Sequence, residues 1–385
     1  MTGKFITLAT LLLVLPPSDY PTDLVVHEWG TFTTMAASDG TLLNGLYLDE
    51  EPLPRAVNQI WPVPPGETDV PNGGKGLYFQ PAHVNVKMET PVLYFYSPRS
   101  LPVSVRVDFP RGLISQWYPS CTSGNQPTGP LLGGPGLPGL LVKTMDFASP
   151  AKGFMEWKAR VLAPGSSQNF TIKDPSPVWN TPRLTDANLL AVRSRDDEQI
   201  EKFIFYRGVA NLTPPITAKF VAGSNASIEI ANTGKEDLPF VFAYEKTKEG
   251  DAWLYWGGSI PKGQHHVLDR KVKQKMTLDG FEKALVNAGL YPKEATAMLN
   301  TWKKSYFDHP GIRIFWIAPP TWVNGILPLK ISPQPKEIRR VFVGRYELLS
   351  PEFERALRSR SPGSIAANDR YHLAYEDLLR HAQHH

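Results

Sequence analysis

The stretch Ala82-His83-Val84-Asn85-Val86-Lys87-Met88-Glu89 alternates apolar and polar residues without a break. Ala82, Val84, Val86 and Met88 fall on one side of an extended chain, and His83, Asn85, Lys87 and Glu89 on the other. This is the period of two expected of a strand with one buried and one solvated face. Pro91 interrupts it, and Val92-Leu93-Tyr94-Phe95-Tyr96 continues as a more fully buried run. Residues 103–109 alternate again, with Val103, Val105, Val107 and Phe109 against Ser104, Arg106 and Asp108. The turn-forming Ser-Pro-Arg-Ser-Leu-Pro between them predicts an antiparallel pair.

Further outward, strand patterns recur at Phe154–Ala163 and Ile200–Tyr206, then at Ile216–Ala222, Ser227–Ala231, Leu238–Tyr244 and Trp253–Trp256. Short strands at this spacing predict a sandwich. Between Thr122 and Gly139, six Gly and four Pro in 18 residues predict a long surface loop, bounded here as 119–140. The period then changes. Asp279 followed by Glu282 resembles a capping box, Phe281, Ala284, Leu285 and Ala288 make an apolar stripe, and Gly289 is a stop. A second helix starts at Pro292 and aligns Ala295, Met298, Leu299, Trp302 and Tyr306, so a helical hairpin is expected over 278–307. Strands return at 312–318, 327–331 and 341–348, and helices at 351–358 and 368–384, the last capped by Asn368. The fold class is therefore mainly β (α+β): antiparallel, sandwich-like sheets with an inserted helical hairpin and C-terminal helices.

Composition agrees. The 385 residues carry 37 Pro, 30 Gly, 10 Trp, 14 Tyr and 18 Phe, which suits short strands and ordered loops. A net charge of +4 is too small to argue for nucleic acid. With 42% hydrophobic and 20% charged residues, a substantial core forms and wholesale disorder is excluded. The single cysteine, Cys121, excludes an intrachain disulfide and Cys-rich metal centres.

Lys4 precedes an apolar run, Phe5–Leu15, which ends at Pro16-Pro17-Ser18. Eleven helical residues reach about 16 Å, half of a ~30 Å hydrocarbon core, so the run reads as a signal peptide over 1–18 rather than a membrane span. No later segment reaches 18 apolar residues. A soluble protein exported to the periplasm or beyond the cell is expected. It comprises an N-terminal β domain over 19–198, a second β region over 199–350 and a helical tail over 351–385.

The most distinctive string is His27-Glu28-Trp29-Gly30-Thr31-Phe32-Thr33. On a regular strand His27 and Glu28 point to opposite faces, so they form no acid–base pair unless a bulge turns the chain. The string resembles one found in a group of uncharacterised secreted bacterial proteins. Lys87-Met88-Glu89-Thr90-Pro91-Val92-Leu93-Tyr94-Phe95-Tyr96, Phe205-Tyr206-Arg207-Gly208 and Val341-Phe342-Val343-Gly344-Arg345 are also similar to segments of that group. The resemblance implies an extracytoplasmic role and carries no catalytic assignment.

No nucleophile elbow, H-E-x-x-H, phosphate-binding lysine loop or haem-attachment motif occurs. Carboxylate-based glycosidases, whose acids come from distant strands, leave no such signature. If a site exists, it is expected where the His27/Glu28 strand meets the polar face of His83–Glu89, with Asp308 and His309 as a further contributor. Glu28, Glu89 and Asp308 would supply catalytic carboxylates. His27, His83 and His309 would supply ligands for a divalent transition metal. His27 with Glu89 is the favoured pairing. The competing structural reading makes His27 a hydrogen-bonded core residue and Glu28 half of an ion pair. Two functions follow: binding of an envelope or extracellular polymer or partner, and a metal- or carboxylate-dependent hydrolase.

Overall fold

The computed structural model describes residues 23–47, 53–59, 77–124, 131–133, 141–193, 197–275, 277–361, 363–366 and 369–382. The segment 1–18 read as a signal peptide, most of the Gly/Pro-rich loop and Asn368 lie outside the described residues. The fold is mainly β, with 43% strand and 18% helix.

Its centre is a ten-stranded sheet. In order across the sheet the strands are Gln274–Lys275, Ala252–Ile260, Leu238–Lys246, Gly311–Ile317, Glu337–Leu348, Val25–Ala36, Val86–Tyr96, Ile204–Ala210, Gly112–Tyr118 and Asn58–Gln59. All neighbours are antiparallel except the two central ones, Val25–Ala36 and Glu337–Leu348, which run parallel in an unbroken register from Val25↔Glu337 to Ala36↔Leu348. The sheet is thus mixed, where alternation alone suggested antiparallel pairing throughout. It also draws strands from both expected β regions, 19–198 and 199–350.

A six-stranded antiparallel sheet lies on one face. Glu198–Glu201, Leu190–Arg193, Gly153–Val161, Leu101–Phe109 and Leu329–Ser332 follow in order, and Ser123–Gly124 pairs with Gly153–Val161. Val103, Val105, Val107, Phe109, Met155, Trp157 and Val161 point inward to join Val26, Phe32, Leu93 and Phe95 of the larger sheet in one apolar cluster. Burying such side chains is worth about 1.5–3 kcal/mol each. The alternate residues Pro102, Ser104, Lys158 and Arg160 are exposed.

The opposite face carries the helical hairpin, Asp279–Asn287 and Pro292–Trp302. Phe281, Leu285, Ala295, Met298, Leu299 and Trp302 pack on Trp29, Val92, Tyr94, Phe315, Val341 and Val343. The first helix ends in a Schellman turn: Leu290 N–H reaches the Leu285 carbonyl, Gly289 N–H reaches that of Val286, and Gly289 takes φ +119°. A π-helical turn, Lys303–Phe307, extends the second helix and carries Tyr306. Helices Pro351–Arg358 and His372–Ala382 stand where terminal helices were expected. Pro320–Ile326, between two of the expected strands, is a further helix. No helix among the described residues is long and apolar enough to cross a membrane.

The packing at the centre is tight enough to be tested. Gly344 is the register partner of Trp316, and a Cβ added there would lie 1.9 Å from the buried indole. Gly344→Ala is therefore expected to destabilise the fold by about 1–3 kcal/mol, read as a lower urea midpoint at unchanged slope.

Candidate functional site

The six residues expected to build a site occupy five separate places. His27 and Glu28 sit on the central Val25–Ala36 strand and face opposite sides, as regular extended geometry requires. His27 lies under the helical hairpin, 2% exposed, and its Nδ1–H donates to Glu294 Oε2 at 2.8 Å. Glu294 is placed by the first turn of its helix, where it also accepts the Tyr291 N–H at 2.8 Å and the Tyr96 hydroxyl at 2.6 Å. The Tyr291 ring tilts over the imidazole at 4.3 Å. Burial and the Glu294 charge together push the Tyr96 phenol well above its ordinary range.

Glu28 faces the other sheet and is fully buried. It accepts from the Tyr206 hydroxyl and from Arg340 Nε. Arg340 spends its Nη1 on Asn324 Oδ1 at 2.9 Å and on the Leu327 carbonyl at 2.6 Å. Burial first, then the Glu28 charge, raises the Tyr206 phenol. Both halves of the structural reading are therefore realised in the geometry.

His83 leaves the expected strand altogether. It takes φ +55°, is exposed, and its Nδ1 pairs with Asp146 Oδ1 at 2.7 Å. The Asp146 carboxyl is held below the usual range by the Ala148 N–H and then by His83. The regular strand begins only at Val86, so the alternation read from Ala82 is interrupted by this left-handed residue. Asp308 and His309 are exposed at the end of the π-helical turn, and the His309 carbonyl accepts Arg313 Nη1 at 2.7 Å. The expected meeting of His27 with Glu89 does not occur. Among the described residues, no group of three or more His, Cys, Asp or Glu is placed to hold a metal ion.

Glu89 does meet the central strand, but through other partners. Its register neighbour is Thr31, and it accepts from Thr33 Oγ1 at 2.9 Å, Lys87 Nζ at 2.8 Å and the Tyr306 hydroxyl at 3.3 Å. Arg345 Nη2 stands 3.6 Å away and its guanidinium covers the Tyr306 ring at 4.3 Å. Arg345 continues to Glu347, which also binds Arg313 Nε at 2.9 Å. The polar face of this strand, expected to be wet, is a buried ionic band. Lys87, Glu89, Arg313, Arg345 and Glu347 are all at most 5% exposed. Three sequence strings singled out above converge here through Thr31 and Thr33, Lys87 and Glu89, and Arg345. Thr90, beside Glu89, bears φ +47° where the register shifts against Trp29/Thr31, a strained position for a β-branched residue.

A different surface offers open, charged space. On the outer face of the six-stranded sheet a groove of about 680 Å³ is lined by Arg99, Lys158, Arg160 and Arg193, with Glu198 as its sole acid among the described residues. Its floor is made of short side chains, Pro102, Ser104, Ala191 and Ser332. Register explains the shape. Ser332 pairs with Ser104 and Ser104 with Lys158, while Pro102 pairs with Arg160 and Arg160 with Ala191. Short residues on the flanking strands thus leave open space beside Lys158 and Arg160 of the middle strand. One row further along, Arg106 is neutralised by Asp108 at 2.7 Å and Glu156 at 2.6 Å. The four groove cations form no ion pair within 4 Å among the described residues. The sequence hid this groove, because Lys158-Ala159-Arg160 reads like any solvated strand face. The available signal was the lack of an intervening acid.

These buried pairs predict a clear asymmetry. Glu28→Ala strands Arg340 in the core and is expected to lose about 3–5 kcal/mol of stability, and Glu89→Ala a similar amount. His83→Ala, at an exposed pair, is expected to stay within about 0.5 kcal/mol. Urea unfolding of the three variants checks this.

The chain matches no protein-family model and no curated protein.

Proposed function

We propose that this protein is an extracytoplasmic binding protein that holds an extended envelope polymer along the outer face of its six-stranded sheet. The observation that carries the reading is the groove itself: an open trough of about 680 Å³ whose floor is short side chains and whose walls are long ones. A polymer needs an open-ended channel rather than an enclosed pocket, and a trough across five strands at about 4.8 Å spacing runs roughly 19 Å. In this reading the two large sheets act as halves of a sandwich, and the inner one keeps the outer face rigid. The Phe5–Leu15 run supports export. The hydrolase alternative has no comparable support, since Glu28 and Glu89 are each occupied by buried donors.

The test is co-sedimentation of the purified protein with insoluble bacterial envelope polysaccharide. Retention of the wild-type chain is expected, as is its loss in Ser104→Trp, which fills the trough from its floor. His83→Ala, away from the groove, should be retained like the wild type. Failure of the wild-type chain to sediment with any envelope fraction would remove the proposal.

A further inference from the structure

We infer that the groove reads the negative charge of its polymer, and that the ligand is an acidic polysaccharide bearing carboxylates on its sugar rings. The inference rests on the polymer-binding reading above and adds the chemical class.

Four observations lead there. First, Arg99, Lys158, Arg160 and Arg193 line the groove against one acid among the described residues, Glu198, which faces Arg193 across the strand pair. Lys158 and Arg160 are two residues apart on one strand, so two cations stand about 6.5–7 Å apart on the same face. A solvated face that served solubility alone would intersperse both signs, as Arg106, Asp108 and Glu156 do next door. Second, three of the four cations are arginines, whose planar fork matches a carboxylate in two parallel hydrogen bonds.

Third, no aromatic side chain is among the described residues that line the groove. Neutral sugars depend on ring faces for affinity, and single-stranded nucleic acids on stacking. A ligand held here must supply charge instead. The floor offers the Ser104 and Ser332 hydroxyls beside the apolar Pro102 and Ala191, which suits the mixed polar and apolar surface of a sugar ring. Fourth, the large exposed apolar residues Leu184, Val267, Val272, Tyr291 and Phe353 all lie off the six-stranded sheet. The groove therefore has no apolar wedge to enter a bilayer.

Binding of the full chain to polygalacturonate, to its methyl-esterified form and to polyphosphate, measured by calorimetry, decides the matter. Polygalacturonate is expected to bind at least tenfold more tightly than the ester, and several-fold more weakly when salt is doubled. The double variant Arg160→Glu/Arg193→Glu should lose at least tenfold, with an unchanged far-ultraviolet circular dichroism spectrum because both side chains are exposed. Equal binding of the ester would overturn the charge inference and leave the groove reading standing. Polyphosphate binding as tightly as polygalacturonate would overturn the assignment to carboxylates. No binding of polygalacturonate by a wild-type chain that still sediments with envelope polysaccharide would overturn the inference too. Should the double variant not fold, the ester comparison on the wild-type chain decides alone.

Discussion

Glu28 and Arg340 are register partners in the only parallel pairing of the ten-stranded sheet, and both are buried. Much else follows from that ion pair. A buried carboxylate without its cation costs several kcal/mol, so the leading strand is stable at the sheet centre only with the late strand beside it. A slip of one residue would send Arg340 to the opposite face and strand Glu28. The same register sets Thr33 opposite Arg345 and so brings Glu89, one strand further on, into reach of that guanidinium. The two buried arginines of the late strand, Arg340 and Arg345, differ by an odd number of positions. Each therefore serves one face of the sheet, Arg340 among the packed sheets and Arg345 under Tyr306.

Much of this architecture was legible in the sequence. Residues 103–109 fix a strand whose inward face is buried, and the 3.6-residue stripe at Phe281–Ala288 and Ala295–Trp302 fixes the hairpin, down to the stop at Gly289. The separation of His27 from Glu28 also followed from strand geometry. Their partners did not. Glu294 is 267 residues from His27 and Arg340 is 312 from Glu28, and no local pattern encodes such a meeting. The wet face assigned to Lys87 and Glu89 failed for a related reason. Hydropathy cannot tell a solvated charge from one neutralised in the interior, and these two neutralise each other. Glu294 carried a faint signal, being third in a helix that begins with proline, where a carboxylate commonly caps the first turn.

Inside and outside, charge is treated differently. Every interior carboxylate discussed has a cation or imidazole within hydrogen-bond reach, and Glu201 adds another case. Burial raises its carboxyl, and Arg183 opposes that with Nε at 3.0 Å and Nη2 at 2.7 Å. Interior pairing is obligatory, because solvation is absent there. On the outer face of the smaller sheet, water can solvate a cation, and stability does not require a partner. The side chains lining the trough are thus not explained by folding, whereas those around Glu28 and Glu89 are.

The parallel central pair also sets the order in which the molecule can come into being. Its two strands lie far apart in the chain, and ribosomes release the first long before the second. At about 5–20 residues per second, the 312 positions between Glu28 and Arg340 take on the order of 15–60 s to appear. Through that interval the nascent sheet lacks its middle, and Glu28 has no counter-charge. Completion must wait for Glu337–Leu348, so folding is dominated by distant contacts. A chain that postpones its own closure in this way stays open at its centre until Glu337–Leu348 has been made, and a product truncated before Glu337 has no route to the finished core.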